Sequence, residues 1–178
     1  MTQKQMGAGM LRTERLTIRP LVADDWRSMQ RIASDFSGSA YAVYDRPLPV
    51  EDAEIKSLTE QFAATQLFFA VLLQDTMIGY ICFHDDGGIY DIGFCFHSDY
   101  HGKGYAYESC SAMMEYLEKA GTVSAFMAGT ALKNTPSCSL LRKLGFVLKE
   151  TEMLSFHTDE AGKAIAFEGG VYQREIHK

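Results

Sequence analysis

The chain has 178 residues, of which 47% are apolar and 22% charged, as in an ordinary soluble globular protein. This length suits one domain with a single sizeable core, so we expect one domain over residues 1–178. The net charge of −6 argues against a nucleic-acid partner bound through phosphate neutralisation. No apolar run reaches the roughly 20 residues of a membrane span, so no membrane partner is expected.

The N-terminal segment and the cysteines indicate the compartment. Residues 1–10 are polar, lack the apolar core of a secretory signal, and are expected to form a flexible tail. The four cysteines contain no Cys-x-x-Cys pair, and three of them lie in apolar segments. We therefore expect buried thiols in a reducing cytoplasm, with neither a disulfide framework nor a metal site.

The first part of the chain predicts a strand, two helices and a long loop. Alternating residues predict a strand over residues 11–22, and Asp24 is a good N-cap for a short helix whose apolar face begins at Trp26. A second helix follows Pro49. Between the helices, residues 35–48 lose periodicity and become rich in Gly, Ser and Tyr. That composition is typical of a functional loop, although a plain connection explains it equally well.

The remaining chain predicts strands clustered around two further helices, which makes one mixed α/β domain. One helix runs to about Ala120 and ends at Gly121, and a shorter one has Thr135 as its cap. The predicted strands are residues 67–73, 77–83, 89–96, 123–132, 146–158 and 164–176.

A glycine-containing loop, His-Gly-Lys-Gly-Tyr-Ala-Tyr-Glu at residues 101–108, connects an apolar strand to a helix. Gly102 and Gly104 can adopt backbone angles that let a ligand approach the chain closely. The free N–H groups of the first helical turn then favour an anion. The loop thus predicts a pyrophosphate site, but by itself it also fits an ordinary glycine-rich turn.

Three blocks of sequence together resemble a known family. They are Leu-Arg-Thr-Glu-Arg-Leu-Thr-Ile-Arg-Pro-Leu at residues 11–21, Asp-Ile-Gly-Phe at 91–94 followed by the glycine loop, and Asn-x-x-Ser at 134–137 with Lys-Leu-Gly-Phe at 143–146. Their order and spacing resemble the GCN5-related N-acetyltransferases (GNAT family). The most similar subgroup includes the ribosomal-protein N-terminal acetyltransferases.

The resemblance implies an α/β (α+β) GNAT fold: a central, mixed, twisted sheet of about seven strands with about four helices. Two neighbouring parallel strands, at residues 89–96 and 123–132, would splay apart and admit acetyl-CoA as the co-substrate. Backbone groups that would pair with the pantetheine arm belong to Phe94, Cys95 and Phe96. N–H groups that would hold the pyrophosphate belong to Gly102, Lys103, Gly104, Tyr105 and Ala106. Asn134 would hydrogen-bond near the arm, and Ser139 is a further candidate contact.

His101 departs from the family pattern, which usually has Arg or Gln at this position. A histidine still donates hydrogen bonds, so the resemblance implies that His101 contributes to cofactor binding with some pH dependence. A solvent-exposed loop histidine without a role is the alternative.

The family transfers acetyl directly to an amine within a ternary complex, so no covalent cysteine intermediate is needed. Asp91 is the candidate base, acting through water, and its alternative role is to bind the acceptor by charge alone. Many family members have a tyrosine as proton donor at the position that Leu141 occupies here. Ser137 is therefore the candidate acid, although it could equally cap its helix or contact CoA.

The acceptor is the least determined partner. Tyr41, Tyr44, Asp45, Asp85 and Asp86 are candidates by loop position, although Asp-Asp-Gly-Gly is also a plain turn. The sequence supports an N-acetyltransferase acting on a primary amine, either a protein N-terminus or a small molecule. The alternative is a non-catalytic acyl-CoA-binding module on the same fold. Whether the protein forms a homodimer is left open.

Overall fold

The computed structural model describes residues 9–121 and 123–176, so the expected flexible tail lies mainly outside the described residues. Within them, the strands are β1 (Leu11–Arg12), β2 (Leu16–Pro20), β3 (Phe68–Leu73), β4 (Thr76–Asp86), β5 (Ile89–Phe96), β6 (Ala125–Ala131), β7 (Val147–Leu154) and β8 (Phe167–Glu175). The α-helices are α1 (Trp26–Ser37), α2 (Asp52–Thr65), α3 (Tyr105–Lys119) and α4 (Thr135–Lys143).

All eight strands belong to one sheet, in the order β1-β2-β3-β4-β5-β6-β8-β7. Neighbouring strands are antiparallel except β5 and β6, which are parallel. This arrangement confirms the predicted mixed α/β fold. It has one strand more than the expected seven because Leu11–Arg12 pairs with β2 as a separate short strand.

Helices cover both faces of the sheet, because each strand presents alternate residues to opposite sides. On one face α1 and α2 pack against the strands, and their buried residues include Met29, Ile32 and Ile55. On the other face α3 and α4 bury a larger cluster that includes Cys110, Met113, Leu117, Cys138 and Leu141. Each face of the sheet therefore has its own helices and its own buried cluster.

The prediction that Asp24 caps the first long helix is wrong. A short 3₁₀ turn at Ala23–Asp25 precedes α1, and Asp24 remains exposed. Its neighbour Asp25 accepts two 2.7 Å bonds from the Arg19 guanidinium and a 2.9 Å bond from the Val22 N–H. The buried carboxylate of Asp25 thereby joins β2 to the start of α1, a long-range role that a local capping pattern does not reveal.

Gly79 lets β4 approach the end of β5 closely. It lies opposite Phe96 in the antiparallel register. A Cβ at this position would overlap the Phe96 ring and lie 2.7 Å from the Cys95 carbonyl oxygen. The Phe96 ring, at the end of β5, therefore occupies space that a side chain at residue 79 would fill.

We predict that Gly79→Ala lowers the free energy of unfolding by about 1–3 kcal/mol, because Phe96 must move to admit the methyl group. Gly129→Ala on β6 is the matched control, since nothing lies within 4 Å of its added Cβ. The control should stay within about 0.5 kcal/mol of the wild type. Urea unfolding followed by Trp26 fluorescence measures both variants, and equal losses would contradict the explanation.

Candidate functional site

A gap opens between β5 and β6 because the two strands pair over only three positions. The partners are Ile89 with Ala125, Tyr90 with Phe126, and Asp91 with Met127. Beyond Asp91, β5 continues to Phe96 and β6 to Ala131 without further pairing. The predicted splaying of two parallel strands is therefore present, and Asp91 lies at the apex of the gap.

The backbone direction along β5 decides which residues face the gap. The His97 N–H donates to the carbonyl of Ile78 on β4 at 3.0 Å, so His97 points its backbone groups at β4. Because pairing in an antiparallel ladder alternates, Cys95 also faces β4, while Phe94 and Phe96 point their backbone groups into the gap. Of the three residues expected to pair with a pantetheine arm, Phe94 and Phe96 have the required direction and Cys95 does not.

Gly129 of β6 lies on the opposite side of the gap. The Leu132 N–H donates to the Glu168 carbonyl at 2.9 Å, so even-numbered positions of β6 face β8. Gly129 therefore points its backbone groups at β5, and open space surrounds the position of its missing side chain. Gly129 was not predicted from the sequence, since a single glycine in a strand has no specific pattern.

His101 closes the end of the gap against β5. Its Nε2 lies 2.7 Å from the Phe96 carbonyl oxygen, so the ring donates through an Nε2–H. The His101 N–H in turn donates to the Ser98 carbonyl at 3.0 Å. The histidine that departs from the family pattern thus joins the glycine loop to the last residue of β5.

The glycine loop leads directly into the N-terminus of α3. Gly102 and Gly104 have φ of +71° and +83°, which favours glycine at both positions. The first intrahelical bond runs from the Glu108 N–H to the Gly104 carbonyl. The N–H groups of Tyr105, Ala106 and Tyr107 precede this bond and have no intrahelical acceptor. Because nothing lies within 4 Å of a Cβ built on Gly102, this cradle is open to an anion.

Two further contacts fix the segment that precedes the loop. Asp35 of α1 accepts bonds from the Ser98 N–H at 2.8 Å and the Ser98 hydroxyl at 2.6 Å. Burial raises the pKa of Asp35, but the bonds from Ser98 outweigh it and leave this pKa below its usual value. The Lys103 ammonium donates to the Asp99 carbonyl at 2.8 Å, which ties the loop to the segment before it.

On the other side of the gap, α4 begins with Asn134 as its N-cap. The Asn134 Oδ1 accepts a 3.3 Å bond from the Ser137 N–H, and Thr135, the cap expected from the sequence, is the first helical residue. Ser137 is half-buried in the first turn, while Ser139 is exposed. Leu141 is buried in the core, so it supplies no polar group to the gap.

The face of the sheet that carries Asp91 also carries the polar residues of β4. Asp91 lies opposite His84, and the next positions along this face pair Cys82 with Gly93 and Tyr80 with Cys95. The Asp91 side chain is partly exposed, yet desolvation by the surrounding protein raises its pKa, with His84 acting in the opposite direction. Asp91 is therefore a stronger base than an ordinary aspartate.

The loop between α1 and α2 reaches the hairpin between β7 and β8. Tyr44 packs edge-on against Phe167 with ring centroids 5.2 Å apart, and the Asp45 carbonyl oxygen lies 2.7 Å from the His157 Nε2. Burial raises the pKa of Asp45, while Arg46 and His157 oppose the shift. These contacts hold Tyr44 and Asp45, two candidates suggested by loop position, against the β7–β8 hairpin.

The other acceptor candidates have less specific surroundings. Tyr41 is half-buried in the same loop. Asp85 and Asp86 are exposed and are the last two residues of β4. The strand is therefore longer than the predicted 77–83. Asp85 accepts a 2.9 Å bond from the Gly88 N–H, which is a turn-stabilising contact.

Cys82 and Cys95 are protonated thiols at neutral pH. Burial, followed by the charges of Asp91 and Asp45, raises the pKa of Cys82 to about 12. Burial likewise raises the pKa of Cys95 to about 12. Cys138 is buried, and its thiol lies 3.5 Å from the Ala131 carbonyl oxygen. Since the thiolate is the nucleophile, Cys82 and Cys95 are unsuited to a covalent intermediate.

Within residues 9–121 and 123–176, no group of three or more His, Cys, Asp or Glu side chains is arranged to hold a metal ion. No described helix is both long enough and apolar enough to cross a membrane.

The gap between two splayed parallel strands and the glycine loop at the start of the following helix are the features that the resemblance to the GNAT family implies. Residues 15–147 match the family model of the acetyltransferase (GNAT) domain. The chain therefore belongs to the GNAT family and is an acetyltransferase, which confirms the resemblance seen in the sequence.

Known proteins support this assignment. An uncharacterized N-acetyltransferase, YnaD of Bacillus subtilis (strain 168), is 30% identical over 136 residues, which cover 75% of this chain and 79% of that protein. A GNAT-family acetyltransferase from Bacillus anthracis superposes with a TM-score of 0.76 at 23% identity, covering 94% of this chain and 98% of that one. The ribosomal L7/L12 α-N-protein acetyltransferase RimL, solved with coenzyme A, gives 0.81 at 16% identity with the same coverage. The two structures show the shared fold.

We predict that Gly104→Val abolishes measurable CoA binding, because a β-branched residue at φ +83° distorts the cradle. Gly162→Val is the matched control, since Gly162 has φ +77° in an exposed turn of the β7–β8 hairpin. Both variants should lose similar stability, while only the first should lose CoA affinity in calorimetry. Wild-type affinity in Gly104→Val would remove the loop from the binding site.

Proposed function

We propose that the protein transfers the acetyl group of acetyl-CoA to a primary amine, directly within a ternary complex. The observation that carries this proposal is the open gap that runs from the glycine loop to the carboxylate of Asp91, whose pKa is raised by desolvation. The coenzyme A bound to RimL supports the choice of co-substrate. We also infer one domain over residues 1–178 and a cytoplasmic location, which the buried thiols support.

Acetyl-CoA would lie along the gap with its pyrophosphate at the glycine loop. The proposed contacts there are the N–H groups of Gly102, Lys103, Gly104, Tyr105 and Ala106, with His101 bracing the loop. The backbone groups of Phe94 and the N–H of Phe96 would bind the pantetheine arm as an added strand does, while the Phe96 carbonyl stays bonded to His101. Asn134 uses its Oδ1 to cap α4, so its amide NH₂ is the part available to the arm.

The acceptor must lose a proton before it can attack the thioester that acetyl-CoA supplies. At pH 7, deprotonating a lysine-like amine with a pKa of about 10.4 costs about 4.6 kcal/mol, whereas an α-amino group costs only about 1–1.4 kcal/mol. Asp91 is the proposed base, because it lies at the apex of the gap and its pKa is raised. A water molecule between Asp91 and the amine would extend its reach.

The leaving sulfur needs a proton at the end of the transfer. Ser137 is the proposed donor, because it is half-buried in the first turn of α4, at the β6 side of the gap. The N-terminus of α4 would also favour a developing negative charge on sulfur. Ser139 is exposed on the same turn and is the reserve candidate.

The carboxylates beside the gap suit a cationic acceptor. The charges of Asp91 and Asp45 both act on the Cys82 thiol, so the two carboxylates lie around the same part of the sheet. An ammonium group entering between them would be attracted before Asp91 takes its proton. A protein N-terminus and a small amine both satisfy this requirement.

A thiol-release assay with acetyl-CoA tests the proposed reaction. Three acceptor pools are compared: peptides with free N-termini, polyamines with aminoglycosides, and free amino acids. Release with one pool establishes both the reaction and the acceptor class.

The absence of a tyrosine at the position of Leu141 makes a non-catalytic acyl-CoA-binding module the second candidate. Silence with every pool, together with CoA binding in calorimetry, would favour that module and contradict the proposal.

We predict that Asp91→Asn lowers kcat by at least about 10²-fold, because the amine loses its base. The Kd for CoA should change less than about twofold, since no CoA contact is proposed for this carboxylate. Asp75→Asn is the control, because Asp75 is exposed in the remote turn between β3 and β4. Steady-state kinetics on both variants decides the question, and wild-type turnover in Asp91→Asn would exclude the proposed base.

We also predict that Asp91→Asn raises stability at pH 7. Because the folded pKa of Asp91 is raised, the favourable contribution of this group is fully present below its unfolded pKa of about 3.9. That contribution is lost as the pH rises through the folded pKa, so the charged form destabilises the protein at pH 7. Thermal unfolding should show a higher Tm for the variant at pH 7, with the difference vanishing in acid. An equal or lower Tm at pH 7 would contradict the desolvation of Asp91.

A further inference from the structure

The turn between β1 and β2 contacts the first turn of α3. The Glu108 carboxylate accepts bonds from the Thr13 hydroxyl at 2.5 Å, the Arg15 N–H at 3.0 Å and the Arg15 Nε at 2.7 Å. The second terminal nitrogen of Arg15 also lies 2.7 Å from Glu108 Oε2. A carboxylate with this many donors is held in one position next to the glycine loop.

The charge of Glu108 would oppose an anionic ligand. A carboxylate in the first turn stabilises the helix, but it also repels a phosphate that approaches the same N–H groups. Burial raises the pKa of Glu108, yet the bonds from Thr13 and Arg15 outweigh it and leave this pKa below its usual value. Glu108 therefore remains ionised at neutral pH, and the Arg15 guanidinium is the cation that compensates it.

Arg15 also orients a peptide group of the loop. Its NH1 donates to the Lys103 carbonyl oxygen at 3.0 Å. In a trans peptide, the carbonyl of Lys103 and the N–H of Gly104 point in opposite directions. Holding the carbonyl against Arg15 thus turns the Gly104 N–H away from Arg15, towards the other side of the loop.

The guanidinium packs against the loop as well as bonding to it. Its carbon lies 4.5 Å from the centre of the Tyr105 ring, and a Cβ added to Gly104 would come within 3.3 Å of its NH2. The loop is therefore held between the β1–β2 turn and α3.

From these contacts we propose that Arg15 is a positioning residue for acetyl-CoA, which neutralises Glu108 and aims the Gly104 N–H at the pyrophosphate. The inference rests on the proposed binding of acetyl-CoA. It also gives a role to the Thr-Glu-Arg segment at residues 13–15, part of the first sequence block. Arg15 would act through Glu108 and the loop, without bonding to the reacting atoms.

Calorimetry with CoA tests the role of Arg15. Arg15→Met should raise the Kd for CoA at least tenfold, because the loop loses its orienting bond and Glu108 becomes uncompensated. In kinetics, the KM for acetyl-CoA should rise similarly, while kcat at saturation changes less than twofold. Arg27→Met is the matched control, because the Arg27 guanidinium lies 5.1 Å from the centre of the Trp26 ring on α1. The Kd of this variant for CoA should stay within twofold of the wild type.

A double variant separates electrostatic positioning from general damage to the fold. Arg15→Met/Glu108→Gln should bind CoA at least threefold more tightly than Arg15→Met, because the uncompensated charge is gone. Arg15→Lys keeps the charge but cannot bond to Glu108 and Lys103 in the same geometry. It should bind CoA with an affinity between those of the wild type and Arg15→Met, and it should show a cooperative thermal unfolding transition.

Two results would overturn this inference alone: Arg15→Met binding CoA as the wild type does, or no recovery in the double variant. Failure of the wild-type protein to bind CoA would instead overturn the proposed function and this inference with it.

Discussion

The early end of the pairing between β5 and β6 is the constraint on which the rest of the structure depends. Two strands that pair at three positions and then separate leave backbone groups of Phe94, Phe96 and Gly129 directed into a gap in the middle of the sheet. The Phe96 carbonyl accepts from His101, and the remaining backbone groups can pair with an extended ligand as an added strand does. Hydrophobic clusters cover both faces of the sheet that contains the gap.

The charges around this gap divide it into two ends. At the end of the glycine loop, N–H groups and the N-terminus of α3 favour an anion, and Arg15 offsets the Glu108 carboxylate beside them. At the apex, Asp91 and the neighbouring Asp45 favour a cation, and desolvation raises the pKa of each. An anionic pyrophosphate and a cationic amine would therefore be attracted to opposite ends, with the acetyl group between them.

Local patterns in the sequence predicted the elements and the glycine loop, because each depends on neighbouring residues. The splayed strands were implied by the resemblance to the GNAT family. They failed where distant residues decide the outcome. The contact of Arg15 with Glu108 spans 93 positions and that of His157 with Asp45 spans 112, so neither has a local signature. The direction of the Cys95 backbone follows from strand register, which periodicity does not determine.

Amide hydrogen exchange with and without CoA tests the central claim most directly, because the N–H groups that line the gap are the proposed ligands. CoA should slow exchange at Phe94, Phe96 and the loop residues Gly102, Gly104 and Ala106, while Cys95, already paired with β4, should change little. Protection confined to another surface, such as the groove that includes Lys149 and Arg174, would contradict the account.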